Sequence, residues 1–423
     1  MSDLGDVGAV DRALHRDGGG RRHLWRLLGP GFVAAVAYVD PGNVAANLSA
    51  GAEFGYLLVW VLVASNVMAM LVQYLSAKLG LVTGQSLPQI IGERIEHRWA
   101  RIAFWVQAEL VAAATDLAEV IGGAIALNLL FDLPLLAGGV IIGAVSMGLL
   151  AIPSRHSQHA FELVIIGMLL VVTIGFTAGL FVSGVSWGDA LDGLVPRFEG
   201  QRTLVLATSM LGATIMPHAI YMHSALVRDR HGSSEDPART RRLLSVTRWD
   251  VGLSLAIAGS VNIAMLLLAA SSLFGVHGID GIQAAHAAIG HALGPVVALI
   301  FAIGLLASGL ASTSVGAYAG AEIMKGLLHI RVPLLTRRLV TLIPALVLLA
   351  TPISPTWALV LSQVLLSMGL PFAIAPLTRL TNDRNLMGRF VNGAPMRVIS
   401  WAVTGLITVL NLALIWLTLT GAG

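Results

Sequence analysis

The chain has 423 residues, of which 56% are hydrophobic and only 12% charged, and its mean hydropathy is +0.81; this is the composition of a polytopic membrane protein and not of a soluble domain. The absence of cysteine excludes disulfides, thiolate metal centres and CxxC redox chemistry. The net charge of +3 calls for no nucleic-acid partner, because the placement of the basic residues follows membrane topology.

Residues 1–30 are polar and rich in Arg and Gly, with no apolar run ahead of a small-residue cleavage site, so they read as a cytoplasmic tail and not as a removed signal peptide. Residues 31–423 read as one transmembrane domain of eleven spans, near 31–51, 56–77, 102–128, 135–152, 160–183, 203–226, 251–273, 295–324, 339–352, 357–377 and 398–420. Most reach the ~20 apolar residues that cross a bilayer; 135–152 and 339–352 are the shortest. With residue 1 inside, 24 of the 26 Lys and Arg fall in the tail or inner loops, and only Arg197 and Arg202 fall outside. The positive-inside rule then puts the N-terminus in the cytoplasm and the C-terminus outside. Arg outnumbers Lys 24 to 2, in keeping with a GC-rich bacterial genome and hence a bacterial inner membrane.

The first span contains Ala37-Tyr38-Val39-Asp40-Pro41-Gly42-Asn43. Proline lacks an N–H, so Pro41 frees the carbonyl of Ala37. Asp40, preceding a proline, is biased away from helix, and Gly42 adds freedom to unwind. A carboxylate at membrane depth is costly and marks a functional site. The sixth span carries a matching break, Ala213-Thr214-Ile215-Met216-Pro217-His218, in which Pro217 frees the carbonyl of Ala213. Five spans separate one break from the next, an odd number that inverts the second unit. Inverted-repeat transporters have this layout, with discontinuous helices meeting near the midplane. Repeat one covers about 31–183, repeat two about 203–377, and 398–420 is an additional helix.

A lone proline in a membrane helix marks only a kink, and a lone buried methionine more often packs than ligates. Asp40 beside Pro41, and Met216 three residues after a freed carbonyl, turn both toward a binding site. Asp40, Asn43 and the carbonyls of Ala37 and Ala213 supply hard oxygen, while the Met216 thioether tips preference from Mg²⁺ or Ca²⁺ toward transition metals. Gln363 in the tenth span either joins this shell or hydrogen-bonds a neighbouring helix.

The third span holds Glu109, Asp116 and Glu119, whose spacings of seven and three residues share one side of a helix. Three buried carboxylates there need countercharge, and Arg337 and Arg338 at the start of the ninth span are the candidates. His218 and His223, five residues apart, are turned about 140° from each other, so only His218, beside the break, is a candidate proton carrier. Glu162, Asp250 and Glu322, at span ends, read as solvated charges.

Asp40-Pro41-Gly42-Asn43 together with Met216-Pro217-His218 resembles the Nramp family of divalent metal transporters, over essentially the whole chain. Ser312-Thr313 and Gly316-Ala317-Tyr318-Ala319-Gly320 agree, although the family's usual form of this stretch contains glutamine and more threonine, and this chain has Leu310, Ala311 and Ala321 around it. The resemblance implies an all-α, LeuT-like 5+5 inverted repeat with discontinuous helices 1 and 6. It also implies proton-coupled import of Mn²⁺ or Fe²⁺ by alternating access, the metal being the transported substrate and no cofactor being resident. Carried over from the family, Asp116 is the proton acceptor nearest the metal, with Glu119, Glu109 and Arg338 continuing toward the cytoplasm. Among competing classes, an intramembrane metalloprotease lacks its HExxH motif, and a channel needs no pair of inverted broken helices. A cation-coupled symporter of a small organic substrate such as an amino acid shares the architecture, but Asp40 would repel a carboxylate held at the broken-helix N-termini.

Overall fold

The computed structural model describes residues 29–150, 158–232, 236–276, 281–330 and 332–420. Nearly all of the expected tail, and Arg155, lie outside the described residues, as does the side chain of Glu162. Among the described residues every regular element is helical. In chain order these are α1 (Pro30–Ala37), α2 (Pro41–Phe54), α3 (Val59–Thr83), α4 (Leu87–Arg94), α5 (Arg98–Phe131), α6 (Leu135–Leu150), α7 (Gln158–Thr177), α8 (Trp187–Asp192) and α9 (Gly200–Thr214). They continue with α10 (Pro217–His231), α11 (Pro237–Ser272), α12 (Ile282–Leu293), α13 (Pro295–Leu328), α14 (Leu334–Leu349), α15 (Pro355–Thr381), α16 (Arg384–Met387) and α17 (Ala394–Thr420).

Among the described residues eight stretches are long and apolar enough to cross a membrane, against the eleven spans expected. The other three coincide with helices that fall short of the ~20 residues of a straight crossing. The first span is cut into segments of 8 and 14 residues, and the fourth and ninth form helices of 16 residues each.

Both breaks sit at the prolines. After α1 the N–H groups of Tyr38 and Val39 turn back onto the carbonyls of Ala35 and Val36, a 3₁₀ tightening typical of a helix end. Asp40 is extended at φ −80°, ψ 167°, and Pro41 starts α2 where its missing N–H costs nothing. The second break repeats this, with Ile215 and Met216 extended and Pro217 opening α10. The unwound residues are Tyr38, Val39 and Asp40, so Gly42 is not part of the unwinding as expected; it lies inside α2.

Around these breaks α5 and α13, 34 residues each, pack along most of their lengths, and α3, α11 and α15 close the bundle. The half-helices α2 and α9 are joined by Arg202, which donates to both Glu53 oxygens at 2.7 and 2.9 Å. At the other end α1 is held from α11. The N–H groups of Gly29 and Gly31 donate to Asp250 Oδ1 and Oδ2 at 3.2 and 2.8 Å, and Asp250 is buried. Asp250 is therefore not a solvated charge; it is the anion at the positive N-terminus of a half-helix 219 residues away. Glu322 is buried as well, paired with Arg228 at 3.3 Å and Lys325 at 2.9 Å, because α10 and α13 bring their basic residues onto it.

Replacing Asp250 by Ala strips two buried N–H groups of their acceptor, which costs about 1–3 kcal/mol. The Asp250→Ala protein, purified in detergent, is expected to unfold at a lower temperature than wild type. An unchanged midpoint would mean that this carboxylate does not hold α1.

Candidate metal site and carboxylate chain

Asp40 occupies the N-cap of α2. Its Oδ1 accepts from the Asn43 backbone N–H at 2.8 Å and from Asn43 Nδ2 at 2.7 Å, which taken alone is helix capping. What exceeds a cap is the set of oxygens left over. Asp40 Oδ2, Asn43 Oδ1 and Gln363 Oε1 are all buried without a hydrogen-bond donor, whereas buried acceptors are nearly always satisfied. Gly42 lies between two of these side chains, Asp40 and Gln363. A Cβ there would run into the Gln363 side-chain amide and would lie 3.2 Å from Asp40 Oδ2. Only glycine at 42 lets α15 bring Gln363 up to the carboxylate, so the residue serves close approach and not unwinding.

The second break closes onto the first through Asn43, whose Nδ2 donates to the Ala213 carbonyl at 2.9 Å. The Ala213 carbonyl, expected as an orphan, thus has one donor, because the amide that Pro217 cannot supply is replaced by a side chain of α2. Ala37 ends α1 with Pro41 in the register position of its missing donor, and Met216 stands at the N-cap of α10, fully buried. Asp40, Asn43 and Met216 have 0% exposure and Gln363 1%, so the site is closed to solvent on both sides. No cluster of three His, Cys, Asp or Glu able to hold a metal occurs among the described residues. A cation here would be held by one carboxylate, two amides, carbonyls and a thioether, a mixed set suited to a borderline ion more than to Mg²⁺ or Ca²⁺.

Several residues that hold the break open were not singled out from the sequence. Asn262 Nδ2 donates to the Tyr38 carbonyl at 2.8 Å, Ser308 Oγ donates to the Val39 carbonyl, and Asn47 Nδ2 donates to Asn262 Oδ1 at 2.9 Å. Gln73 joins Tyr38 to His223, its Nε2 donating to the Tyr38 hydroxyl at 2.6 Å while His223 Nδ1 lies 2.7 Å from its Oε1. A signal existed in that Asn262 and Gln73 are lone amides in apolar runs, where a polar side chain needs a partner in the bundle.

The acids of α5 face α13 and α14. Asp116 Oδ1 and both Glu119 oxygens lie 3.2–3.3 Å from where a Gly316 Cβ would stand. Arg338 Nη1 is 3.4 Å from Asp116 Oδ1 and Arg337 Nη1 is 3.9 Å from Asp116 Oδ2. Arg337 donates to Glu109 at 2.6 Å, and Arg338 Nε to Ser146 Oγ at 3.0 Å. Both guanidinium groups are thus beside the acids they were expected to balance. Exposure rises from 0% at the Asp116 side chain to 20% at Glu109, and from Glu119 to Glu109 the helix advances about 15 Å at 1.5 Å per residue. His218 Nδ1 is 3.2 Å from Thr115 Oγ1, beside Asp116, whereas His223 faces α3. Gly320 matters here for the reason Gly42 does at the break, since a Cβ on it would occupy the Arg337 guanidinium.

The family model described as natural resistance-associated macrophage protein-like (Nramp) matches residues 31–417. The divalent metal cation transporter MntH of Mycobacterium tuberculosis strain H37Rv is 58% identical over 397 residues, 94% of this chain and 92% of that protein. The crystal structure of the Eremococcus coleocola manganese transporter superposes with a TM-score of 0.85 at 32% identity, covering 94% of this chain and 88% of that one. The nucleobase-cation-symport-1 family transporter MHP1 shares the fold at a TM-score of 0.53 and 15% identity.

Gly320→Ala must push the Arg337 guanidinium away from Glu109 and Asp116, an overpacking that costs about 1–3 kcal/mol. The variant should melt several degrees below wild type in detergent. Wild-type stability would show that the Arg337 position is not tied to this glycine.

Proposed function

Because the chain belongs to the Nramp family, we infer that it imports divalent transition-metal ions by alternating access, Mn²⁺ first and Fe²⁺ next, with proton flow as the driving partner. It is a multi-pass, all-helical membrane transporter of LeuT-like fold and not an enzyme; the metal is cargo and no cofactor is needed. The observation that carries the assignment of the site is the group of donorless buried oxygens on Asp40, Asn43 and Gln363 at the two proline breaks. In this reading those oxygens, the carbonyls of Ala37 and Ala213 and the Met216 thioether replace the ion's water. Asn43 would loosen its hold on Ala213 as the ion enters. Asp116, Glu119 and Glu109 carry the proton along α5, Arg338 and Arg337 balance the charge that remains, and His218 reaches this route through Thr115. The two paths lie on different helices, which lets proton and metal move without sharing ligands.

The orientation that fits the arginine distribution has the N-terminus in the cytoplasm and the C-terminus outside a bacterial inner membrane. In that frame α1 and α10 are the inner half-helices and α2 and α9 the outer ones, within one transmembrane domain of repeats 31–183 and 203–377 plus the helix 398–420. Opening inward then has to release α1 from Asp250, and opening outward has to release Glu53 from Arg202.

The direct test is radiolabelled Mn²⁺ uptake into proteoliposomes with and without an inward proton gradient. Wild-type protein should accumulate the ion and do so faster with the gradient. Asp40→Asn should abolish uptake while the protein still inserts and elutes as a folded species; uptake at wild-type rates in that variant would sink the site.

Asp116→Asn separates the two paths. This variant should lose the stimulation by the gradient and the accompanying acidification, while calorimetry still detects Mn²⁺ binding. If binding disappears as completely as in Asp40→Asn, Asp116 is a metal ligand and the division into two paths is wrong.

A further inference from the structure

Away from the two breaks, α3, α11 and the 3₁₀ turn Gly388–Phe390 border an open recess of about 270 Å³. Arg241 and Arg248 of α11 and Arg389 of the turn all reach it, together with Tyr74, Ser245 and Phe390, and no carboxylate is among its lining residues. Neighbouring arginines are matched to acids: Arg94 to Asp383 at 2.9 Å, and Arg228 to Asp229 and Glu322 at 2.7 and 3.3 Å. Arg241, Arg248 and Arg389 are exposed, so water screens their mutual repulsion, but with no acid in the lining an anion placed among them meets only attraction. The geometry is also directed. The Arg248 guanidinium lies over the Tyr74 ring, 5.6 Å from its centroid, a stacking that orients its planar donor fork, and Ser245 adds a hydroxyl. Forked guanidinium donors recognise phosphate oxygens above other anions of this size.

The surroundings indicate where the phosphate comes from. Trp249, next after Arg248, is 67% exposed, and an outward-facing Trp at the end of an apolar helix marks the membrane interface. One turn beyond Tyr74 on α3, Lys78 Nζ donates to Asn392 Oδ1 at 2.7 Å, a further cation at this corner. Basic pockets between transmembrane helices at the interface hold anionic lipid headgroups.

We propose that Arg241, Arg248 and Arg389 form a binding site for a phosphate oxyanion, supplied by the headgroup of an anionic phospholipid. The site is separate from the proline breaks and does not depend on which ion the protein carries.

The test uses the full chain in mild detergent, read by native mass spectrometry and thermal shift. Phosphatidylglycerol, phosphatidylcholine with the same acyl chains, and inorganic phosphate are titrated against wild type and the triple variant Arg241→Gln/Arg248→Gln/Arg389→Gln. Phosphatidylglycerol should bind wild type and raise its melting point, with affinity falling about fivefold for each arginine removed and roughly a hundredfold in the triple variant. Phosphatidylcholine should not tell the two proteins apart. If inorganic phosphate stabilises wild type alone and phosphatidylglycerol shows no preference, the oxyanion site stands and its source is soluble. If neither ligand distinguishes the proteins, the site does not exist. Should the triple variant fail to fold, the single Arg389→Gln change on the exposed turn carries the same test, with a fivefold loss expected and no loss overturning the proposal.

Discussion

Two missing N–H groups organise this molecule. In the low-dielectric middle of a helical bundle a backbone carbonyl without a donor is expensive, and Pro41 and Pro217 each remove the donor that an unbroken helix would provide. The chain answers from other helices. Asn43 covers Ala213, Asn262 covers Tyr38 and Ser308 covers Val39. These bonds run from α2 to α9, and from α11 and α13 to the unwound residues that follow α1, so each break is held open by a helix of the opposite half. A simple kink would need none of them. At the breaks the answer is incomplete, because Asp40 Oδ2, Asn43 Oδ1 and Gln363 Oε1 remain without donors, and that remainder is what a cation can use.

The same economy separates the two charge systems. Among the described residues no arginine or lysine is paired with Asp40, and its one satisfied oxygen accepts from Asn43. Asp116 lies against two guanidinium groups, and Glu109 is bound to one of them. A carboxylate without a fixed countercharge suits a movable cation, because nothing competes for it. Carboxylates beside fixed cations suit protons, because the arginines hold the net charge of the chain near balance as a proton leaves or arrives. Glycines at 42 and 320 make room for Gln363 and for Arg337 respectively, which is how neighbouring helices place amide and guanidinium groups so near the acids.

The parts of this arrangement that depend on local chemistry were legible in the sequence. A proline removes a donor wherever it sits, and acids at i, i+7 and i+10 share a helix side whatever the tertiary structure. Hence the breaks at 41 and 217, the inverted halves and the facing of Glu109, Asp116 and Glu119 could be read directly. The parts that depend on distant partners could not. Asp250 looked like a solvated end charge until α1 brought two N–H groups to it from 219 residues away, and Glu322 looked the same until Arg228 of α10 reached it. Gly42 was assigned to unwinding because a glycine beside a proline suggests loose backbone, whereas its purpose is visible only once Gln363 is seen against it. Eleven expected spans stand against eight long apolar stretches among the described residues for a related reason: a broken first span and two 16-residue helices are lengths that neighbours, not the segment itself, make tolerable.

One consequence joins the breaks to the ends of the molecule. Because α1 has only 8 residues and α2 only 14, neither is anchored by its own length, and each is held at its far end by a single acid: α1 by Asp250, α2 by its own Glu53 with Arg202. The centre meanwhile is tied by Asn43, which bonds Asp40 at the start of α2 and reaches the Ala213 carbonyl of α9. An ion that takes over the oxygens of Asp40 and Asn43 necessarily competes with those central bonds. The energy released or lost there acts on two short half-helices, each also tied by a charged contact near its far end. A rigid pair of unbroken helices would dissipate the same local change over many packed turns. Broken helices pass it to their far ends, which is a physical reason why a site proposed at the breaks suits alternating access better than one within an intact span.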